Sequence, residues 1–88
     1  MINIEFDIIV FKEKKTFVAY TPELDVSSCG KTVDEAKRNI QTAVRLFLEE
    51  AEKMGTLEDI LIESGYQKDE SNHWIAPKIV ATEVIGIS

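Results

Sequence analysis

The sequence predicts an α+β domain of two layers, in which one long helix packs on one face of a mostly antiparallel sheet. Three observations support this prediction. Apolar and polar residues alternate over residues 2–11, the period of a strand with one buried face. A second strand-like segment follows after a short polar stretch, as in a β-hairpin. From Thr32 to Gly55 the apolar residues recur every three or four positions, as they do along an amphipathic helix.

The first three elements are strands. The inward face of the first strand carries Ile2, Ile4, Phe6, Ile8 and Val10. Ile9 and Phe11 interrupt the opposite, polar face, so we expect something to cover that end. The run from Lys12 to Lys15 predicts a turn, and residues 16–20 predict a second strand rich in aromatic and β-branched residues. Pro22 marks the end of that strand, and residues 26–29 predict a short third strand that stops at Gly30.

The helical segment carries its own start and stop signals. Thr32 and Glu35 have the spacing of a capping box, and Gly55 is the residue type that ends a helix in the left-handed conformation. The predicted apolar stripe consists of Val33, Ala36, Ile40, Ala43, Val44, Phe47, Ala51 and Met54. Thr56 and Asp59 repeat the cap spacing and predict a short second helix with Leu57, Ile60 and Leu61, closed by Gly65.

The last third of the chain predicts one more strand. Residues 66–77 are compatible with either a loop or a small hairpin, and residues 79–87 read as a strand. A crossover would place this strand beside the first one, which gives the order βββααβ and a sheet of order 3-2-1-4. The strand would lie at an edge, yet it is apolar on both faces, so we expect a homo-oligomer, a dimer or tetramer. The predicted oligomer interface consists of Ile79, Val80, Val84, Ile85 and Ile87.

Length and charge limit the classes of function. The 88 residues fit a single domain, 1–88. Sixteen acidic against ten basic residues give a net charge of −6, which argues against a nucleic-acid or anionic-lipid surface. Such a charge favours a basic protein partner, although mild acidity also serves solubility alone. The single cysteine and the lack of an apolar leader or membrane-spanning segment predict a cytoplasmic protein.

No catalytic site, metal site or cofactor is predicted. Cys29 and His73 alone are too few ligands for a zinc site. We expect Cys29 to be a small residue at a strand end and His73 to be a solvated loop histidine. Glu23, Asp25 and Asp7 lack a further convergent carboxylate of the kind that metal-dependent nucleases use. Residues 49–63 hold six acidic residues and one lysine, a local charge of −5, which suits either a solvated face or a contact surface. The sequence therefore predicts a binding protein, not an enzyme.

One segment carries a family signature. Residues 17–36 combine an aromatic strand, a Pro-Glu-Leu loop, a short strand that ends in glycine, and Thr-x-x-Glu-Ala at the start of a helix. In this order and spacing the segment resembles the HicB-like antitoxins of bacterial and archaeal toxin–antitoxin pairs. The resemblance extends through the helix to about residue 50 and continues more weakly over residues 56–88.

The resemblance implies a degraded RNase H-like fold and an antitoxin that binds a small, basic, HicA-like ribonuclease toxin. Binding would occlude the active site and the RNA surface of the toxin. By position, the family loop places the partner-binding surface at Tyr20, Pro22, Glu23, Leu24, Asp25 and Ser28. Many family members continue into a DNA-binding module, whereas no basic helical segment follows residue 87 here, so direct DNA binding is not expected.

Two other functions compete with this interpretation. A residual RNase H-type nuclease would depend on Mg²⁺ or Mn²⁺ and on Asp7 and Asp25. A homo-oligomeric scaffold or small-ligand-binding protein would need no toxin partner at all.

Overall fold

The computed structural model describes residues 3–88, so the prediction for Ile2 lies outside the described residues. Within these residues, seven elements follow one another: β1 (Ile9–Glu13), β2 (Thr16–Thr21), β3 (Val26–Gly30), α1 (Val33–Met54), α2 (Leu57–Glu63), β4 (Gln67–Lys68) and β5 (Trp74–Ile75). The predicted α+β class is confirmed. A three-stranded antiparallel sheet is followed by one long and one short helix.

The sheet is an antiparallel meander of order β1-β2-β3. The β1–β2 turn is tighter than the predicted run from Lys12 to Lys15: Glu13 pairs with Thr16, and only Lys14 and Lys15 connect them. Lys14 adopts a φ of 56°, which lets this short connection form without glycine. Lys12 itself pairs with Phe17 in the sheet.

Alternation along the strands divides the sheet into two faces. Val10, Ala19 and Ser28 lie opposite one another on the face beneath α1, where Ala19 is completely buried. Ile9 and Tyr20 share the other face with Phe11, whose side chain is exposed. We expected another part of the protein to cover Ile9 and Phe11. Within residues 3–88, Phe11 remains uncovered.

Helix α1 begins and ends where the sequence predicts. The hydroxyl of Thr32 accepts a hydrogen bond from the N–H of Glu35 at 3.0 Å, the first half of the capping box. In the second half of a capping box, the Glu35 carboxylate would accept from the N–H of Thr32. Here it accepts instead from the N–H of the preceding residue, Lys31, at 3.1 Å. Gly55 ends the helix in the left-handed conformation with a φ of 74°.

The buried face of α1 is narrower than the predicted stripe. Five residues of the helix are buried: Ala36, Ile40, Val44, Leu48 and Ala51. The predictions for Val33 and Met54 are wrong, because these residues are 39% and 67% exposed at the two ends of the helix. Leu48, which the stripe omitted, lies one turn after Val44 and belongs to the core. The helix packs mainly on β3 and β2 and least on β1.

Helix α2 forms as predicted, but its predicted cap does not. Thr56 makes no side-chain capping bond; its hydroxyl instead donates to the carbonyl of Ala51 at 3.4 Å. Thr56 directly follows Gly55 and is still within the turn between the helices, so its side chain points back to α1. Leu61 is the completely buried residue of α2, and Gly65 follows the helix with a φ of 89°.

The segment after α2 forms a small hairpin, one of the two alternatives left open by the sequence. Strands β4 and β5 pair antiparallel, and the carboxylate of Asp69 accepts hydrogen bonds from the N–H groups of Ser71 and His73 in the turn. Trp74 also forms a parallel bridge with Ile4. The hairpin therefore brings residue 74, instead of the predicted last strand, beside the N-terminal segment.

The prediction of a strand over residues 79–87 is wrong. The predicted sheet order 3-2-1-4 is therefore wrong as well, because residues 79–87 supply no fourth strand. A parallel ladder does begin between the two segments. The N–H of Trp74 donates to the carbonyl of Asn3, and the carbonyl of Trp74 accepts from the N–H of Glu5. To continue the ladder, residue 76 would have to pair with the carbonyl of Glu5 and the N–H of Asp7, and both groups are already bonded to side chains. The carbonyl of Glu5 accepts from the Tyr66 hydroxyl at 2.7 Å, and the N–H of Asp7 donates to the Glu23 carboxylate at 2.7 Å. Residues 76–88 therefore have no regular secondary structure.

Candidate functional site

The loop between β2 and β3 carries most of the residues that the family resemblance selects. It is held by a hydrogen bond from the N–H of Asp25 to the carbonyl of Thr21 at 2.9 Å, and Asp25 has a φ of 54°. Leu24 points inward and belongs to the core, whereas Pro22 and Asp25 are exposed. Leu24 thus anchors the loop, and a partner can reach Pro22 and Asp25.

Glu23 connects this loop to the N-terminal segment. Its carboxylate accepts the N–H of Asp7 at 2.7 Å through one oxygen and the hydroxyl of Thr21 at 3.4 Å through the other. Thr21 is completely buried, and Glu23 is half-buried. Sequence reasoning found no structural role for Glu23, and this contact supplies one.

Tyr20 and Asp25 form the second contact of the loop. The Tyr20 hydroxyl donates to the Asp25 carboxylate at 2.9 Å. This bond raises the pKa of Tyr20 above its ordinary value, and the negative charges of Asp25 and Glu23 act in the same direction. The pair keeps a tyrosine ring and a carboxylate together on the surface, an arrangement that suits contact with a cationic group.

Replacing Asp25 by Asn is expected to lower the pKa of Tyr20 toward its ordinary value, because a neutral amide no longer opposes formation of the phenolate. Asn tolerates the left-handed backbone at this position, so the fold should persist. The pKa is measured from the pH dependence of the Tyr20 ring resonances. Glu63→Gln, an exposed acid in α2, is the control and should leave that pKa unchanged. An unaltered Tyr20 pKa in Asp25→Asn would contradict the contact.

Two further residues that sequence reasoning missed complete this end of the sheet. Burial raises the pKa of Tyr66, and the nearby charges of Glu23, Asp7 and Glu5 raise it further. Glu5 forms an ion pair with Lys78 at 2.6 Å, and the pKa of Glu5 is lowered by that hydrogen bond. The hydrogen bond from the N–H of Asp7 to the Glu23 carboxylate places residues 5–7 beside the loop that follows β2. We define Tyr20, Glu23, Asp25, Asp7 and Glu5 as the acidic end.

Ser28 is not brought to this surface. It pairs with Ala19, while Tyr20 pairs with Ser27, and neighbouring residues of a strand point to opposite faces. The side chain of Ser28 therefore lies on the face beneath α1, half-buried, and Tyr20 lies on the other face.

An open groove lies between the N-terminal segment that precedes β1 and helix α1. Its volume is about 720 Å³. The apolar lining consists of Ile4, Phe6, Ile8, Val44 and Leu48. Gln41, Arg45, Glu49 and Glu52 of α1 and Glu5 form its polar rim. We call this feature the N-terminal groove. No motif in the sequence indicates it, because its lining comes from two segments far apart in the chain.

The remaining candidate residues are at the surface. All six acids of residues 49–63 are exposed, and Glu58 lies 3.6 Å from Lys68. The five residues of the predicted oligomer interface are also exposed in this chain. Cys29 is a free, exposed cysteine in β3, and His73 lies beside Asp69 in the β4–β5 turn.

Neither a metal site nor a membrane span is found in the part of the chain that the structure describes. Among residues 3–88, no group of three or more His, Cys, Asp or Glu side chains is placed to hold a metal ion. Within the same residues, no helix is both long and apolar enough to cross a bilayer. Comparisons with protein-family models, with curated proteins and with solved structures give no match.

Proposed function

We propose that this chain is a HicB-like, antitoxin-like protein that binds a small, basic, HicA-like ribonuclease toxin and covers its active site and RNA surface. The observation that carries the proposal is the geometry of the family loop, which a hydrogen bond from the N–H of Asp7 to Glu23 fixes against the N-terminal segment and in which Tyr20 and Asp25 are held together. The loop that contributes Glu23 and Asp25 is the one that the family resemblance selects. Three antiparallel strands followed by a long helix also support the degraded RNase H-like fold that this resemblance implies.

The acidic end has the chemistry that a basic protein would recognise. Pro22 and Asp25 are accessible, and Tyr20 offers a ring beside a carboxylate. Tyrosine is enriched among the residues that dominate binding energy at interfaces. Asp25 and Glu23 already hold defined positions through their hydrogen bonds, so little side-chain entropy is lost on binding. The net charge of −6 would accelerate encounter with a cationic toxin.

The test uses the small basic protein encoded by the neighbouring reading frame. We expect the two proteins to co-purify after co-expression and this chain to suppress RNA cleavage by its partner. Asp25→Lys should slow association about tenfold or more at low salt, because electrostatic steering acts mainly on the association rate. Glu63→Lys changes the net charge equally but lies in α2, outside the acidic end, and should have a much smaller effect.

Two results would contradict the proposal. The first is a wild-type chain that neither binds nor silences the neighbouring protein. The second is an equal loss of association rate in Asp25→Lys and Glu63→Lys, which would show that only net charge matters. Persistence of the difference between these variants at high salt would indicate a contact beyond long-range attraction.

A homo-oligomeric scaffold is the second candidate, favoured by the exposed apolar residues between 79 and 87. Self-association and toxin binding do not exclude each other, because they would use different surfaces of the chain.

A further inference from the structure

The three-stranded sheet has a helix on one face only. Helix α1 packs on the face that carries Val10, Ala19 and Ser28. Neighbouring residues of a strand point to opposite faces, so the alternate side chains project from the other face. We define this open face by six residues, two from each strand: Ile9, Phe11, Val18, Tyr20, Ser27 and Cys29. Phe11 and Cys29 are exposed, so within residues 3–88 no element lies over the outer strands on this side.

The open face is apolar at its centre, and none of its six side chains carries a formal charge. Phe11, Val18 and Cys29 form one row across the three strands, because each pairs with the next in the sheet. Ile9 and Tyr20 form part of the adjacent row. Phe11 is 52% exposed. Aromatic and aliphatic side chains without charge are typical of the centre of a protein interface, whereas charged side chains lie at its rim.

One end of the open face joins the acidic end. Tyr20 belongs to both, because its ring lies on the open face while its hydroxyl donates to Asp25 at 2.9 Å. The other end is the β1–β2 turn, where Glu13, Lys14 and Lys15 supply two positive charges against one negative. The surface therefore changes from acidic to apolar to weakly basic along its length. A partner with cationic groups beside an apolar patch is expected to place those groups at the Tyr20 end.

The size of the open face limits what can bind it. Three strands of five or six residues present a face of roughly 14 by 17 Å, or about 240 Å². One partner contributes about 800 Å² to a specific interface. A second copy packed face to face would bury too little surface, and two molecules of net charge −6 would repel each other. A basic partner that covers both the open face and the acidic end meets neither difficulty.

We propose that the open face is the apolar part of the surface that binds the basic partner protein, continuous with the acidic end. This inference rests on the proposed function, from which it takes the partner. Asp25 attracts and orients the partner, whereas Phe11 and Val18 supply the apolar contact that retains it. Rim charges act mainly on the association rate, and most other interface substitutions act on the dissociation rate. The partner is then also the cover that the sequence predicts for Ile9 and Phe11.

The first experiment uses Cys29, the single cysteine of the chain, as a reporter on the open face. Its alkylation by iodoacetamide is followed by mass spectrometry, for the chain on its own and in complex with the protein encoded by the neighbouring reading frame. We expect the alkylation rate to fall about tenfold or more in the complex, because the centre of an interface packs like a protein interior. The control is Thr42→Cys in a Cys29→Ser background. Thr42 is exposed on α1, on the other side of the sheet, and should react equally in both states.

The second experiment measures both rates of complex formation for Phe11→Thr, which keeps a residue suited to a strand. We expect dissociation to accelerate about tenfold or more while association changes little, the opposite of the pattern for Asp25→Lys. Leu46→Gln is the matched control, since Leu46 is an apolar residue that is 60% exposed on α1, and it should alter neither rate. Circular dichroism should show the same fold for all these variants.

The outcomes separate this inference from the proposed function. Equal alkylation of Cys29 in the free chain and the complex, or wild-type dissociation of Phe11→Thr, would overturn the inference while the partner still binds and is silenced. Protection of Cys29 that increases with the concentration of the chain on its own would assign the open face to a second copy, and would overturn it too. A neighbouring protein that neither binds nor is silenced would refute the proposed function, and the occupant of the open face with it.

Discussion

Leu61→Ala is expected to reduce the free energy of unfolding by about 2–5 kcal/mol. Leu61 is completely buried in α2, and it belongs to the core cluster that also contains Tyr66 and Trp74. Truncation to Ala removes apolar contacts and leaves a cavity that rigid neighbours fill only in part. A domain of this length has a total stability of roughly 4–13 kcal/mol, so the loss is a large fraction of it.

The matched control is the next residue. Ile62→Ala removes a side chain of similar size that is 61% exposed in the same helix. It should change the stability much less than the Leu61 substitution. Urea denaturation followed by circular dichroism measures both variants, and their slopes should agree. Equal destabilisation by the two substitutions would show that α2 does not dock through Leu61. The comparison is made at one protein concentration, because any self-association would add a concentration-dependent contribution.

Local sequence signals predicted those elements whose stabilising contacts are near in sequence. Thr32, Glu35 and Gly55 act within one helical turn of the ends of α1, and they fix its limits. The β1–β2 hairpin likewise joins segments separated by only two residues. Helical periodicity says less about burial at the ends of a helix, where Val33 and Met54 are exposed although they lie on the apolar stripe. The stripe was therefore correct in its period and too long at both ends.

The last strand could not be assigned correctly from its own residues. Residues 79–87 have the composition of a buried strand, but a strand also needs a neighbour with free backbone groups. Whether Glu5 and Asp7 are free depends on Tyr66 and Glu23, which are remote in the sequence. The same remote contacts bring the acidic end together. Sequence identified Glu23 and Asp25 through the loop motif, whereas the involvement of Glu5 and Tyr66 follows only from the fold.

Gly30→Ala is expected to destabilise the protein by about 1–3 kcal/mol, although alanine is the smallest possible addition. Gly30 is buried at the end of β3, where the chain meets the first turn of α1. A Cβ at this position would lie 2.6 Å from the backbone nitrogen of Ala36 and 2.9 Å from the carbonyl carbon of Glu35. Both atoms are main chain, so they can yield only if the start of the helix moves.

The sequence explained Gly30 as the end of a strand, and the structure gives a different reason, the close approach of α1 to β3. The two explanations predict different results. If Gly30 only ended a strand, alanine would cost a few tenths of a kcal/mol, whereas a steric contact also displaces the amide resonances of Glu35 and Ala36. Gly86→Ala is the control, since a Cβ there meets nothing within 4 Å. A Gly30→Ala protein as stable as Gly86→Ala, with unshifted Glu35 and Ala36 resonances, would contradict close packing of α1 on β3. The expected result would make this contact the feature that fixes how the helix crosses the sheet, and hence how much of β1 and the N-terminal groove stays uncovered.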